Sequence, residues 1–234
     1  MAKEKAKLCV YCGNKATTRD HIPPKCLFPD PLPSDLITVP ACHKCNAGES
    51  KDDEYFRARI VAKNECGSHK AAQQVAVKLF RSFERVQNAG FTRDFIDSIK
   101  DFDLCTPSGI YLGKATGYDV DHDRMLRVVR RIMIGLHFKE FGRGIPKNFE
   151  ATVQGRSNVD PTELSVLKEV DDWVKKIVSK RKPKRIGDGV FAYTYVSPDD
   201  RPDVTAWAME FYESEVYLGF CIPRNARPRA PQPY

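Results

Sequence analysis

The chain has 234 residues, of which 41% are hydrophobic and 29% charged, with a net charge of +7. The apolar share is enough for one or two cored domains. No run approaches the ~18 apolar residues of a membrane span, and the charged start MAKEKAK lacks the apolar stretch of a secretory signal. A soluble, cytoplasmic protein is therefore expected, with eight cysteines that are thiols or metal ligands rather than disulfides. The positive charge inclines it toward polyanions, because each Lys or Arg placed at a phosphate releases a counterion.

Residues 1–7 read as a basic tail. Residues 8–60 are rich in Cys, Pro and Gly, with short runs and no long helical period until KDDEYFRARIVAK, where Tyr55, Phe56, Ile60 and Val61 space out an apolar side. Residues 61–185 read as a helical region with a short hairpin. Its first helix is predicted over 70–88, with Val75, Leu79, Phe83 and Val86 as its stripe and Gly90 as C-cap. TRDFIDSIKDF follows as a short helix, and SGIYLGKATGYDVD as a hairpin turning at Gly113 or Gly117.

A long helix is predicted over 121–142, capped by Asp121 or Asp123 and ended by Gly142, with Leu126, Val129, Met133 and Leu136 facing a core. Arg124, Arg127 and Arg131 share another face, a stripe suited to phosphates. Residues 161–180 form a further helix with Pro161 in its first turn, and KRKPKRIGDG is a cationic loop. Residues 186–222 read as a three-stranded antiparallel β-meander packed on the helices, and 223–234 as a disordered tail. The fold class is α+β. Cys26, Cys66, Cys105 and Cys221 are scattered singly and read as buried apolar residues.

The chemistry lies in the first quarter. Cys9 and Cys12 form one CxxC pair and Cys42 and Cys45 another, with 30 positions between Cys12 and Cys42. Four thiolates complete a tetrahedral zinc site and leave no open position, so this zinc is structural. Between the pairs lies TRDHIPPK. Asp20 is a hard oxygen ligand suited to Mg²⁺, and His21 titrates near neutrality.

The combination CVYCG…TRDHIPPK…ITVPACHKCNAGESKDD resembles an HNH endonuclease, a ββα-metal nuclease carrying an added four-cysteine zinc clamp, over roughly residues 8–60. The resemblance implies that His21 is the general base. It implies that Asp20 and Asn46 hold a catalytic divalent ion, Mg²⁺ or Mn²⁺, with Asp53 as a further ligand from the same helical side. The family's middle Asn orients the base; its nearest counterpart here is Asp35, a departure from the pattern. Lys25, Lys51, Arg57 and Arg59 join Arg124, Arg127 and Arg131 as candidate phosphate contacts. The implied activity is hydrolysis of phosphodiester bonds in nucleic acid, with DNA the expected substrate and a homodimer or partner protein where both strands are cut. The competing expectation is a zinc-stapled nucleic-acid-binding module, or a partner-dependent subunit, with a degenerate nuclease centre.

Overall fold

Thr18–Ile22 (β1) and Ile37–Ala41 (β2) pair antiparallel, with Asp20 opposite Val39 and His21 opposite Thr38. Successive strand residues face opposite sides. Asp20 and Ile22 therefore turn inward and are buried, while Arg19 and His21 face out. Two helices follow, α1 (His43–Ala47) and α2 (Ser50–Val61). The second buries Tyr55, Phe56, Ile60 and Val61, as their spacing predicted.

The computed structural model describes residues 7–106, 108–155 and 164–226. Helix α3 (Lys70–Phe83) starts at His69, whose Nδ1 accepts the Ala71 amide. It stops short of the predicted residue 88. The Ser82 carbonyl is taken by Asn88 and the Phe83 carbonyl by Thr92, so side chains satisfy groups that further helix would have used. Gly90 consequently lies inside the next helix, α4 (Ala89–Asp97), and is not a C-cap. The predicted helix over 92–102 also ends early. Ile99–Cys105 is a strand, β3, paired with β4 (Tyr111–Tyr118). The expected hairpin thus exists, but Gly113 and Gly117 both lie in β4 instead of making the turn. A side chain at Gly117 would meet the Phe102 ring at 2.5 Å.

Helix α5 (His122–Phe141) organises the molecule. Asp121 accepts the Arg124 amide at its start, and Gly142, at φ 69°, closes its end in the left-handed conformation. Val129, Ile132, Met133 and Leu136 are fully buried, each such side chain stabilising the fold by about 1.5–3 kcal/mol. Two glycines let α5 approach its neighbours. A Cβ at Gly135 would lie 2.6 Å from Ile22 Cγ1, and one at Gly219 would lie 2.3 Å from Met133 Sδ. One helix therefore carries the β1–β2 hairpin and the C-terminal sheet together.

That sheet has five antiparallel strands, not three. The order is β5 (Phe149–Gly155), β9 (Glu215–Pro223), β8 (Thr205–Phe211), β7 (Phe191–Val196) and β6 (Lys184–Ile186). Helix α6 (Leu164–Lys180) precedes β6; Pro161 lies outside the described residues. Part of the supposed cationic loop is the edge strand β6, which pairs with β7, while Lys184 meets Glu140 and Arg185 meets Glu213. Charged side chains suit an edge, where they discourage further pairing. The inner face carries Trp207 and Phe211, fully buried, with Phe211 5.2 Å from Phe56 of α2. Cys66 and Cys221 are buried as expected, Cys26 is half-buried, and Cys105 is exposed on β3. Among the described residues no helix is long and apolar enough to cross a membrane.

Candidate active site

The first CxxC pair sits on a tight turn. The Gly13 amide donates to the Cys9 carbonyl, and Gly13 takes φ 75°, a conformation glycine adopts without strain. The Val10 amide bonds the Pro40 carbonyl and so fastens this turn to β2. Cys42 caps α1, and Cys45 lies on its first turn. The sulfurs of Cys9, Cys12, Cys42 and Cys45 all lie within 4.8 Å of one another, with Cys12 and Cys42 at 3.7 Å. The edge of a tetrahedron built on zinc–sulfur bonds of about 2.3 Å is about 3.8 Å. The donor set and its spacing thus fit a four-thiolate zinc. Among the described residues it is the single group of three or more His, Cys, Asp or Glu side chains close enough to share an ion.

The same staple delivers three polar side chains to one cleft of about 360 Å³. Asp20 and His21 arrive on β1 and Asn46 on α1, beside Lys25, Ser50, Asp53, Glu54 and Arg57. The Asn46 amide nitrogen donates to Thr18 Oγ1 and to the Arg19 carbonyl, both at 3.1 Å. These bonds tie α1 to β1 and turn the amide oxygen away from the strand. His21 is held below the ordinary imidazole value by burial and by Lys25, against the pull of Asp20. It is accordingly neutral at pH 7, with a nitrogen able to accept a proton.

Asp20 is only 4% exposed. Its Oδ2 accepts the Tyr11 hydroxyl at 2.7 Å and lies 3.4 Å from Arg131 Nε. Arg131 also pairs with Asp53 through Nη2. Burial pushes the Asp53 carboxyl up to about 6 against that attraction. Burial and the Asp20 charge raise the Tyr11 hydroxyl well above its ordinary value, so it stays protonated and donates. The sequence offered no sign of Tyr11 as a site residue. It sits inside the first CxxC, and the path by which the zinc turn carries it to Asp20 is tertiary.

Several expected phosphate contacts are elsewhere. Arg131 is buried in its two ion pairs. Arg124 and Arg127 both bind Asp52, and Arg124 also lies over the Tyr55 ring. The α5 stripe therefore faces the acids of α2 and β1. Arg59 is buried among Tyr55, Phe95 and Tyr118 and donates to Ser98, a packing role. Lys51 is exposed but does not line the cleft, whereas Lys25 and Arg57 do. Asp35 does not line the cleft; its carboxylate accepts the Gly187 amide at 3.4 Å and has no bond to His21 among the described residues.

No family model, no curated protein and no solved structure matches the chain.

Proposed function

We propose that the chain is a metal-dependent endonuclease of the HNH type, hydrolysing phosphodiester bonds in nucleic acid. The observation that carries the reading is the convergence of Asp20, His21 and Asn46 on one cleft, held by a hairpin and helix whose ends share the four-cysteine cluster. His21 is the general base. Its neutral imidazole takes the proton of the attacking water, and the surrounding burial keeps it ready to do so near pH 7.

Asp20 and Asn46 supply a carboxylate and an amide oxygen from two different elements. That donor set fits a small hard ion, which commonly takes one or two carboxylates and fills its remaining positions with water and phosphate oxygens. Such an ion, Mg²⁺ or Mn²⁺, would supply positive charge against the charge that develops on the phosphate and the leaving oxygen. Lys25, at the same cleft, attracts and places the phosphate, with Arg57 beside it paired to Glu54 at 3.2 Å. Tyr11 and Arg131 hold the Asp20 carboxylate in position from behind. The zinc fixes β1 against α1, a helix that buries no residue of its own and so has little packing to hold it.

The second reading is a binding module with an inactive centre. It draws on Arg131, whose guanidinium already neutralises Asp20 and Asp53. Incubation of zinc-loaded protein with supercoiled plasmid, with Mg²⁺, with Mn²⁺ or with neither, separates the two. Nicking that requires the added ion supports the nuclease. A folded, zinc-loaded protein that leaves plasmid, single-stranded DNA and RNA intact supports the module.

A further inference from the structure

A larger groove, of about 800 Å³, runs between the zinc turn, the C-terminal half of α5 and strand β5. Five cations line it, Lys7, Arg19, Arg130, Lys147 and Arg224, and no carboxylate does. Elsewhere on this surface the arginines of α5 meet acids, as Arg124, Arg127 and Arg131 do. Among the described residues none of the five groove cations has a carboxylate within ion-pair distance. Between them the groove has an apolar floor, with Ile134, Phe138, Ile145 and Phe149 all half-buried and facing it. A row of cations without carboxylate partners over aromatic and aliphatic side chains is the surface that single-stranded nucleic acid takes, with phosphates on the charges and bases on the rings. A duplex shows only base edges, inside its own grooves, and has little use for such a floor.

The groove also has a direction. Arg19 lies two residues before His21 on the same outward side of β1. Its Nε and Nη2 both donate to Thr38 Oγ1, at 2.9 and 2.6 Å, and Thr38 is the cross-strand partner of His21. The last cation of the groove is thus bound beside the general base.

We propose that this groove binds one strand of nucleic acid and leads it past Arg19 to His21. The direction toward His21 rests on the nuclease reading, whereas strand binding does not. An acidic peptide would satisfy the cations equally but would leave the aromatic floor unused.

The test is fluorescence anisotropy on the full, zinc-loaded chain without added divalent ion. The probe is a labelled single strand of about 12 nucleotides, within the site sizes such grooves cover. Arg130 and Lys147 are exposed, so R130E/K147E is expected to fold, with zinc content and thermal melting as the check. The double variant should bind at least ~10-fold more weakly, and its log Kd against log salt should flatten by about 1.4, for two lost phosphate contacts. R93E/K114E changes the net charge equally, at exposed sites on α4 and β4, and should bind like the parent. In cleavage assays the groove variant should show a raised KM and an unchanged kcat.

Equal losses in the two charge-reversed variants would overturn the proposal. So would tighter binding of the matched duplex, or displacement of the strand by polyglutamate at the same charge concentration. Groove-dependent binding in a protein that never cuts would refute the nuclease reading and leave strand binding standing.

Discussion

Replacing Arg131 by Met removes a guanidinium that faces two buried carboxylates. The Arg131 side chain is 8% exposed, that of Asp20 6% and that of Asp53 17%. Methionine fills much of the same volume, so the change is chiefly electrostatic. Removing one partner of a buried ion pair costs about 3–5 kcal/mol, because the remaining charge is left without compensation. At this chain length that lowers the melting temperature by roughly 6–20 °C. The deficit depends on pH, with a sign that follows from Asp53. Burial already lifts its carboxyl from 3.8 to about 6, and loss of Arg131 lifts it further. The folded variant then holds a proton that the unfolded chain releases above about pH 4, so its stability falls as pH rises through the folded value. Melting followed by circular dichroism from pH 5 to pH 8 should show the smallest deficit near pH 5 and the largest at pH 8. D53N placed on R131M should recover part of the loss at pH 8. A deficit under ~1 kcal/mol that is flat with pH would mean that the ion pair is neither buried nor charged as described.

Zinc content should be one ion per chain, and C12S or C42S should lower it and disorder the β1–β2 hairpin, read as lost amide protection there with the C-terminal sheet kept. G135A gains about 1 kcal/mol of helix propensity but drives a methyl into Ile22, and overpacking costs about 1–3 kcal/mol. Its melting temperature should therefore fall, and its cleavage rate should fall with it, because Ile22 adjoins His21 on β1. In the proposed reaction the neutral form of His21 is the base, so the single-turnover cleavage rate should rise with pH through a midpoint below the ordinary imidazole value of about 6.5 and then level off. A midpoint above 7 would assign the proton transfer to another group.

What the sequence disclosed was local. The two CxxC pairs, the Asp121 and Gly142 caps of α5 and its core stripe depend on spacings of a few residues, and the structure keeps all of them. The α5 arginines were read as a stripe suited to phosphates because the acids that hold them are not the ones nearby in the chain. Their partners are remote, Asp52 lying 72 positions from Arg124 and Asp53 78 from Arg131. Strand β5 escaped notice because FEATVQG buries only Ala151 and Gly155, which is too faint an alternation to see. Tyr11 and the groove were hidden for a related reason. Tyr11 reaches Asp20 only once the zinc turn is folded onto β2, and the five groove cations come from five separate stretches of chain that meet only in three dimensions. Asp35 looked like a substitute for the family's Asn by position along a Pro-rich loop, yet that loop carries it to Gly187.

In the proposed reaction His21 removes a proton from the water that breaks a phosphodiester bond. The most direct measurement is single-turnover cleavage of labelled nucleic acid with Mg²⁺ or Mn²⁺, by the parent and by H21A prepared side by side at equal zinc content. General base catalysis contributes typically 10²–10⁴-fold, so H21A should fall by at least ~10², and added imidazole should return part of the rate. Cleavage by H21A at the parental rate would contradict the assignment of the base and, with it, of the active site.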